Sequence, residues 1–282
     1  MSNFSFKLDD KKIAQIKETF KEYIKPNSNE YVDTFIQKED LTITIYKSRK
    51  VVFQGNDAFF YASAYLDAKK TRQAGSDEVG TGDVFGPVIV TAAIIEEDDY
   101  DFIEENHITD SKQLNDSFIR KIGPELRKRF KHSLLILDNH TYNRVHETDN
   151  LNAIKAKMHN KAYLNMMAKG YQIPKAAYVD QFCSVDDYYR YLVSEKEVYH
   201  DLVFETKAES KYPAVAVASM ISRYAFLEYM DALNKKYGIE FQRGSSDLET
   251  IDKQIRFMIE KFGKDELANV AKLHFKNFDK YR

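Results

Sequence analysis

The sequence predicts an α/β domain preceded by a smaller α+β unit, and three observations lead to this prediction. From residue 84 onward, short apolar segments alternate with longer helical ones, as in a sheet covered by helices. Before residue 70, a helical segment precedes two extended segments that suit a hairpin. The polar run from Lys69 to Gln73 separates the two regions, so we divide the chain into domains 1–70 and 71–282.

The first unit is expected to contain two helices and a hairpin. Apolar residues recur at helical spacing from Ile13 to Ile24, behind Asp9, which can cap the helix. Residues 41–46 (LTITIY) alternate apolar and polar side chains, and VVFQG at 51–55 returns the chain. A further helix is expected within residues 57–70.

The second region supplies the larger sheet and its covering helices. Strand candidates are 84–95, 133–138 and 176–180. Helix candidates are 116–130, 150–168, 213–237 and 248–262. In such folds, ligands gather at strand ends and in the loops beyond them.

Composition excludes several classes of protein. The 282 residues are 43% apolar, which is ordinary for a globular chain, and the formal net charge is −2. A single cysteine, Cys183, excludes a disulfide framework or a Cys-rich zinc site. No run of eighteen apolar residues is present, and the N-terminal residues MSNFSFKLDDKK lack an apolar signal region. We therefore expect a cytoplasmic protein that does not contact membranes.

Residues 75–87 (GSDEVGTGDVFGP) place adjacent carboxylates directly before a glycine loop. Asp77 and Glu78 end a short strand candidate, Asp180 ends AAYVD, and Glu209 lies in KAESKYP. Hard divalent cations prefer such oxygen ligands, and two of them can activate water against a phosphodiester. The pattern thus favours Mg²⁺ or Mn²⁺ as cofactor. A carboxylate at a strand end is also commonly a cap or a solvated charge, and a Gly-x-Gly commonly marks a turn.

Five motifs in order resemble those of bacterial ribonuclease HIII, a type 2 ribonuclease H. GSDEVGTGDVFGP resembles the first active-site motif of that family. The other four are TDSKQL (109–114), NLNAIKAKMHNKAY (150–163), YVDQF (178–182) and KAESKYPAVAVASMISRYAF (207–226).

The resemblance implies a ribonuclease H fold with a mixed sheet flanked by helices, and an N-terminal substrate-binding domain like the TATA-box-binding protein. It also implies hydrolysis of the RNA strand of RNA/DNA hybrids, which leaves 3′-hydroxyl and 5′-phosphate ends. We expect a monomer, because nothing in the sequence demands a larger assembly. Transferred by motif, Asp77, Glu78 and Asp180 become metal ligands, and Glu209 becomes the fourth catalytic acid, where the related ribonucleases HII usually have Asp. The substrate-binding residues implied by the motifs are Gly80, Thr81, Gly82, Ser111 and Lys112.

Two alternatives stay open. The competing activity is that of ribonuclease HII, cleavage at single ribonucleotides embedded in DNA. Ribonuclease HII typically has Gly-Arg-Gly where this chain has Thr81 between its glycines, which favours ribonuclease HIII. A hybrid-binding protein without catalysis is the alternative from another class. In the N-terminal domain, candidate contacts to the duplex are Thr44, Tyr46, Lys47, Arg49, Lys50 and Gln54. We expect His159 to be a structural or solvated residue.

Overall fold

The computed structural model describes residues 2–55, 58–63, 71–108 and 115–281, apart from the side chains of residues 2–4, 6, 59, 60 and 63. The chain forms two compact units, Met1–Thr71 and Arg72–Arg282.

The N-terminal unit is a five-stranded antiparallel sheet with two described helices. Its elements are β1 (Ser2–Lys7), α1 (Asp10–Thr19), β2 (Ile24–Lys25), β3 (Val32–Lys38), β4 (Leu41–Tyr46), β5 (Lys50–Gly55) and α2 (Ala58–Ser63). The strands are ordered β1-β5-β4-β3-β2. The predicted hairpin of β4 and β5 is confirmed, with Ile43 opposite Phe53.

One face of this sheet carries the core of the unit. The Asp9 side chain accepts the amide of Lys12 at 2.8 Å and so caps α1, as the sequence indicates. From α1, Ile16 packs with the inward residues of β4 and β5. The expected helix over 13–24 ends earlier, at Thr19, and Ile24 lies in β2 with 43% of its surface exposed.

The larger unit alternates strands and helices. Its elements are β6 (Gln73–Val79), β7 (Val88–Ile95), α3 (Tyr100–Glu105), α4 (Asp116–Arg129), β8 (Lys131–Leu137), α5 (Asn139–Val145), α6 (Leu151–Ala168), β9 (Ala177–Asp180), α7 (Val185–Tyr191), β10 (Val203–Glu205), α8 (Pro213–Tyr237), α9 (Leu248–Phe262) and α10 (Leu267–Val270). The four predicted helices and three predicted strands are confirmed to within a few residues at each end.

The strands form a mixed sheet in the order β10-β9-β6-β7-β8. β6 is central: it pairs antiparallel with β7 and parallel with β9. Ser76 of β6 lies opposite Val179 of β9, so the next residues, Asp77 and Asp180, lie on neighbouring strands at the same end of the sheet. This topology brings two of the singled-out acids together.

Close packing of α8 on β6 fixes one face of the sheet. A Cβ atom added to Gly75 would lie 2.3 Å from the backbone nitrogen of Val215, so only glycine permits this approach. The first turn of α8 begins with Pro213, and the run from Ala214 to Ala218 is buried. The small residues of this run let the helix lie directly on the strand that carries Asp77.

No helix within the described ranges is long and apolar enough to cross a membrane.

We expect Gly75→Ala to destabilise the protein by about 1–3 kcal/mol, because the added methyl group overlaps the backbone of α8. Chemical unfolding monitored by circular dichroism would measure the change. Gly82→Ala is the matched control, because a Cβ there meets no atom within 4 Å, and its effect should stay within about 0.5 kcal/mol. Equal stabilities for the two variants would contradict the close approach of β6 and α8.

Candidate active site

Strand alternation points the two adjacent carboxylates to opposite faces of the sheet. Asp77 faces α8, where it accepts a hydrogen bond from the hydroxyl of Ser219. Glu78 faces α6, where it contacts Lys155 and His159. Successive side chains of a strand leave on opposite sides, and the pair therefore avoids direct contact between its charges.

Both oxygens of Glu78 have partners from α6. The Lys155 ammonium lies 2.9 Å from Oε1, and Nε2 of His159 lies 2.9 Å from Oε2. Burial raises the pKa of Glu78, but the contacts with His159 and Lys155 outweigh it and leave the pKa below its usual value. Glu78 is thus held as a charged, oriented carboxylate.

His159 is a structural residue, as expected, but it belongs to the site. It is fully buried, and its Nδ1 lies 2.8 Å from the hydroxyl of Ser76. The ring of Phe182 stacks on it, and the same ring lies 4.0 Å from the Lys155 nitrogen. Sequence reasoning missed Lys155 altogether. Its spacing of four from His159 on a predicted helix was the available signal, because such residues share one face.

Asp77 has the opposite electrostatic environment. It is 8% exposed, and burial together with the charges of Glu78 and Asp180 raises its pKa well above the ordinary value. Donation from Ser219 and from the Glu78 amide, which lies 2.8 Å from Oδ1, offsets only part of this effect. The surrounding protein therefore compensates the charged form of this carboxylate poorly.

Asp180 and Glu209 complete the group of acids. Asp180 accepts the amide of Ala208 at 2.8 Å. Burial raises the pKa of Asp180, and the nearby charges of Glu209 and Glu78 raise it further. A left-handed residue, Lys207 (φ 55°), starts the short turn that holds Glu209. Oε2 of Glu209 is buried without a hydrogen-bond partner among the described residues.

The acids fit a divalent cation in charge and donor type. Three of them, Asp77, Asp180 and Glu209, have no cationic hydrogen-bond partner among the contacts described above, and the buried Oε2 of Glu209 is a ready oxygen ligand. As the side chains stand, no three His, Cys, Asp or Glu residues in the described part converge tightly enough to hold a metal ion. Binding of a metal ion here thus requires the carboxylates to move closer together. Glu78 differs from the other three, because each of its oxygens already accepts one hydrogen bond, from Lys155 or His159.

Gly80 and Gly82, the two glycines of the loop after β6, differ in whether the fold leaves room for a side chain. Gly80 has φ 92°, and a Cβ there would lie 2.1 Å from the carbonyl oxygen of Pro87. Gly82 is exposed, and a Cβ there would meet nothing within 4 Å. The fold thus demands glycine at 80 but not at 82, and Thr81 between them is partly exposed. The remaining substrate-binding candidates, Ser111 and Lys112, lie outside the described residues.

A cleft of about 830 Å³ lies between the end of β6 and α8. It reaches Val79 and Ser219, and it also contains the guanidinium groups of Arg223 and Arg243. Asp116, the first residue of α4, pairs with both arginines. Two guanidinium groups share one carboxylate there, and the cleft is also lined by the acids Asp83 and Glu240.

Comparisons with known proteins agree on one family. The family model described as Ribonuclease HII matches residues 74–278, and a domain of unknown function (DUF3378) matches residues 3–78. Ribonuclease HIII of Lactococcus lactis subsp. lactis is 37% identical, covering 99% of this chain and 97% of its own. Ribonuclease HIII of Streptococcus mutans serotype c is 35% identical, covering 99% and 97%. The crystal structure of Bst-RNase HIII in complex with Mn²⁺ superposes with a TM-score of 0.70 at 30% identity, covering 98% and 96%.

We expect Asp77→Asn to stabilise the metal-free protein at pH 8. An acid with a raised folded pKa binds more protons folded than unfolded between the two pKa values, so stability falls as pH rises through that window. Asparagine mimics the protonated acid and removes this loss. Thermal unfolding in EDTA at pH 4, 6 and 8 should show a stabilisation at pH 8 that shrinks toward pH 4.

The exposed Asp186 provides the matched control for this measurement. Asp186→Asn should leave the dependence of stability on pH unchanged. If Asp77→Asn and the wild-type protein lose stability in parallel as pH rises, the burial argument for Asp77 is wrong.

Proposed function

Because the chain belongs to the ribonuclease HIII family, we propose that it hydrolyses the RNA strand of RNA/DNA hybrids with the help of divalent cations. The observation that supports this most directly is the group of acids at the ends of β6 and β9, where Asp77 and Asp180 carry raised pKa values. Negative charge kept in a buried place at a cost to stability is typical of a functional site.

Asp77, Asp180 and Glu209 are the residues that we propose to hold the cations, Mg²⁺ or Mn²⁺. Bound there, divalent ions would lower the pKa of an attacking water and stabilise charge on the departing 3′-oxygen, which gives 3′-hydroxyl and 5′-phosphate ends. Asp77 and Asp180 lie on neighbouring strands and interact electrostatically, which supports a shared role. The buried free oxygen of Glu209 supports direct ligation in spite of its extra methylene relative to Asp.

Glu78 has a different part in this proposal. Lys155 and His159 hold its charge and orientation, so it can present a fixed carboxylate to the edge of the site. Each of its oxygens has one hydrogen-bond partner and a second lone pair, so Glu78 can ligate a cation while it keeps its contacts with α6. The sequence-based assignment of Glu78 as a ligand therefore stays a prediction.

The glycine loop supports recognition of RNA. At Gly82 the absence of a side chain serves nothing within the fold, so we infer that it lets the substrate backbone approach main-chain groups. The 2′-hydroxyl distinguishes RNA from DNA at such a contact. Thr81, in place of an arginine, favours cleavage within longer hybrids over cleavage at single ribonucleotides.

The N-terminal unit is proposed to bind the duplex through the sheet face opposite its helices. Tyr46 and Gln54 lie on that face and are partly or fully exposed, and Lys47 and Lys50 are exposed beside them. Thr44 is only 8% exposed, which removes it as a major contact. Arg49 is exposed but pairs with Asp10 at 3.1 Å.

Two end-labelled duplexes test the proposal: a continuous RNA/DNA hybrid, and a DNA duplex with one ribonucleotide. Each is incubated with Mg²⁺, Mn²⁺ or EDTA. Metal-dependent cutting at several sites of the hybrid alone is the expected result, and Asp180→Asn should abolish it. Cutting beside the lone ribonucleotide would favour the activity of ribonuclease HII. Binding of the hybrid without cutting in either metal would leave the non-catalytic alternative.

We expect Lys155→Met to lower kcat/KM by about 10–100-fold, because Glu78 loses the ammonium that orients it. Steady-state cleavage of the hybrid would measure this. Lys157→Met is the matched control on the same helix, since Lys157 pairs with Asp149 instead, and its effect should stay within about twofold. Similar losses in both variants would show that α6, and not the contact with Glu78, is responsible.

We expect Gly82→Ala to weaken hybrid binding by about tenfold, or about 1.4 kcal/mol, while leaving stability unchanged. Fluorescence anisotropy with a labelled hybrid in EDTA would give the affinity without cleavage. An unchanged dissociation constant would remove Gly82 from the contact surface. Gly80→Ala, by contrast, should lower the free energy of unfolding, because its Cβ collides with Pro87.

A further inference from the structure

A lysine is buried where the chain leaves the glycine loop. Lys272 has no exposed surface, and its ammonium nitrogen lies 2.8 Å from the carbonyl oxygen of Asp83 and 2.5 Å from that of Gly86. It has no carboxylate partner among the described ion pairs. An apolar side chain would occupy such a place at lower cost, so the donors themselves must be needed.

The C-terminal segment holds the same stretch by its backbone. The amide of Lys272 donates to the carbonyl of Val84 at 2.9 Å, and the amide of Gly86 donates to that of Val270 at 2.9 Å. Phe85 bridges antiparallel to Ala271 between these bonds. Residues 84–86 are therefore attached to a segment almost 190 positions later in the chain.

Two further contacts secure this stretch. Asn139, at the start of α5, donates to the carbonyl of Gly86 at 2.8 Å. The Asp83 carboxylate accepts the amide of Gly244 at 2.6 Å. Gly86 itself has φ 87°, a conformation that favours glycine. The exit of the glycine loop is thus held from three separate parts of the fold.

We propose that Lys272 is a positioning residue for substrate binding, which fixes the exit of the glycine loop so that residues 80–82 keep the backbone shape that receives the RNA strand. The inference rests on the proposed function, because it assigns the loop to the hybrid. Lys272 does not touch the reacting atoms in this scheme. It acts through the carbonyls of Asp83 and Gly86.

The anchor does not depend on the charge of the lysine. Burial lowers the pKa of Lys272 to about 7, although the Asp83 charge acts in the opposite direction. A neutral amine still has two N–H donors, one for each of the two carbonyls. The ring of Tyr142, 5.9 Å away, adds an attraction to the charged form only. Loss of the nitrogen, and not loss of the proton, is therefore the change that should release the loop.

Lys272→Met tests this, because methionine keeps an unbranched apolar chain and removes the donors. Hydrogen exchange in the free, metal-free protein should show the amides of residues 80–86 exchanging at least about tenfold faster than in the wild type. In cleavage of the hybrid, KM should rise at least about fivefold while kcat stays within about twofold, since binding and not the chemical step is affected.

Two further variants separate positioning from general loss of stability. Asn139→Ala removes the other donor to the carbonyl of Gly86. Because Oδ1 of Asn139 has no hydrogen-bond partner among the described residues, the substitution removes one hydrogen bond only. It should speed up exchange of the same amides and raise KM, in each case by less than Lys272→Met does. Gln73→Leu removes a buried polar group at the opposite end of β6, and should leave the exchange of residues 80–86 unchanged.

The outcomes decide between the possibilities. Unchanged loop exchange in Lys272→Met, or equal acceleration in Gln73→Leu, overturns the positioning role. A fall in kcat with KM unchanged also overturns it, since the lysine would then act on the chemical step. If the wild type neither binds nor cuts the hybrid, the proposed function fails, whereas the exchange measurement still decides whether Lys272 fixes the loop.

Discussion

The site depends on negative charge that the fold buries without fully compensating it. On the α6 side, the Lys155 ammonium neutralises Glu78, and the contact with His159 helps to orient it. On the α8 side, Asp77 has only a hydroxyl and an amide, and its pKa rises accordingly. Lys155 thus supplies a positive charge on one face of β6, whereas Asp77 on the other face has no cationic partner among the described contacts.

That asymmetry follows from how the two helices meet the sheet. α8 lies against the backbone of β6 because Gly75 has no side chain, and it presents a serine, Ser219, to Asp77 where α6 presents a lysine to Glu78. α6 lies farther off and has space for Lys155, His159 and the ring of Phe182 that packs on both. The same central strand therefore supports a pre-paired carboxylate and an unpaired one, although their residues are adjacent in sequence.

Much of the fold was predictable because its signals are local. The predicted helices 150–168 and 248–262 agree with α6 and α9 to within a residue, and the side chains of Asn150 and Asp247 cap these helices. β3 was missed because its polar residues hide the alternation, and the three-residue β10 was missed because it is too short for a pattern to emerge. The acids could be found because each lies where a predicted strand or turn ends. The contact of Lys155 with Glu78 was missed, because the two residues are 77 positions apart and only the helical spacing of Lys155 from His159 pointed to it.

Lys272 shows the limit of sequence reasoning most clearly. It is one of 42 lysine and arginine residues, and nothing in the sequence distinguishes it from those that are exposed to solvent. A β-bridge between residues 85 and 271 places the Lys272 amine in a buried position, where it donates to the carbonyls of Asp83 and Gly86. The proposed contact with the RNA strand needs a loop with a rigid exit, and Gly80, Gly82 and Gly86 do not supply that rigidity themselves. The rigidity comes instead from a segment that folds back from the far end of the chain. The conformation of this glycine-rich loop therefore depends on the contacts of Lys272 and its segment with residues 83–86.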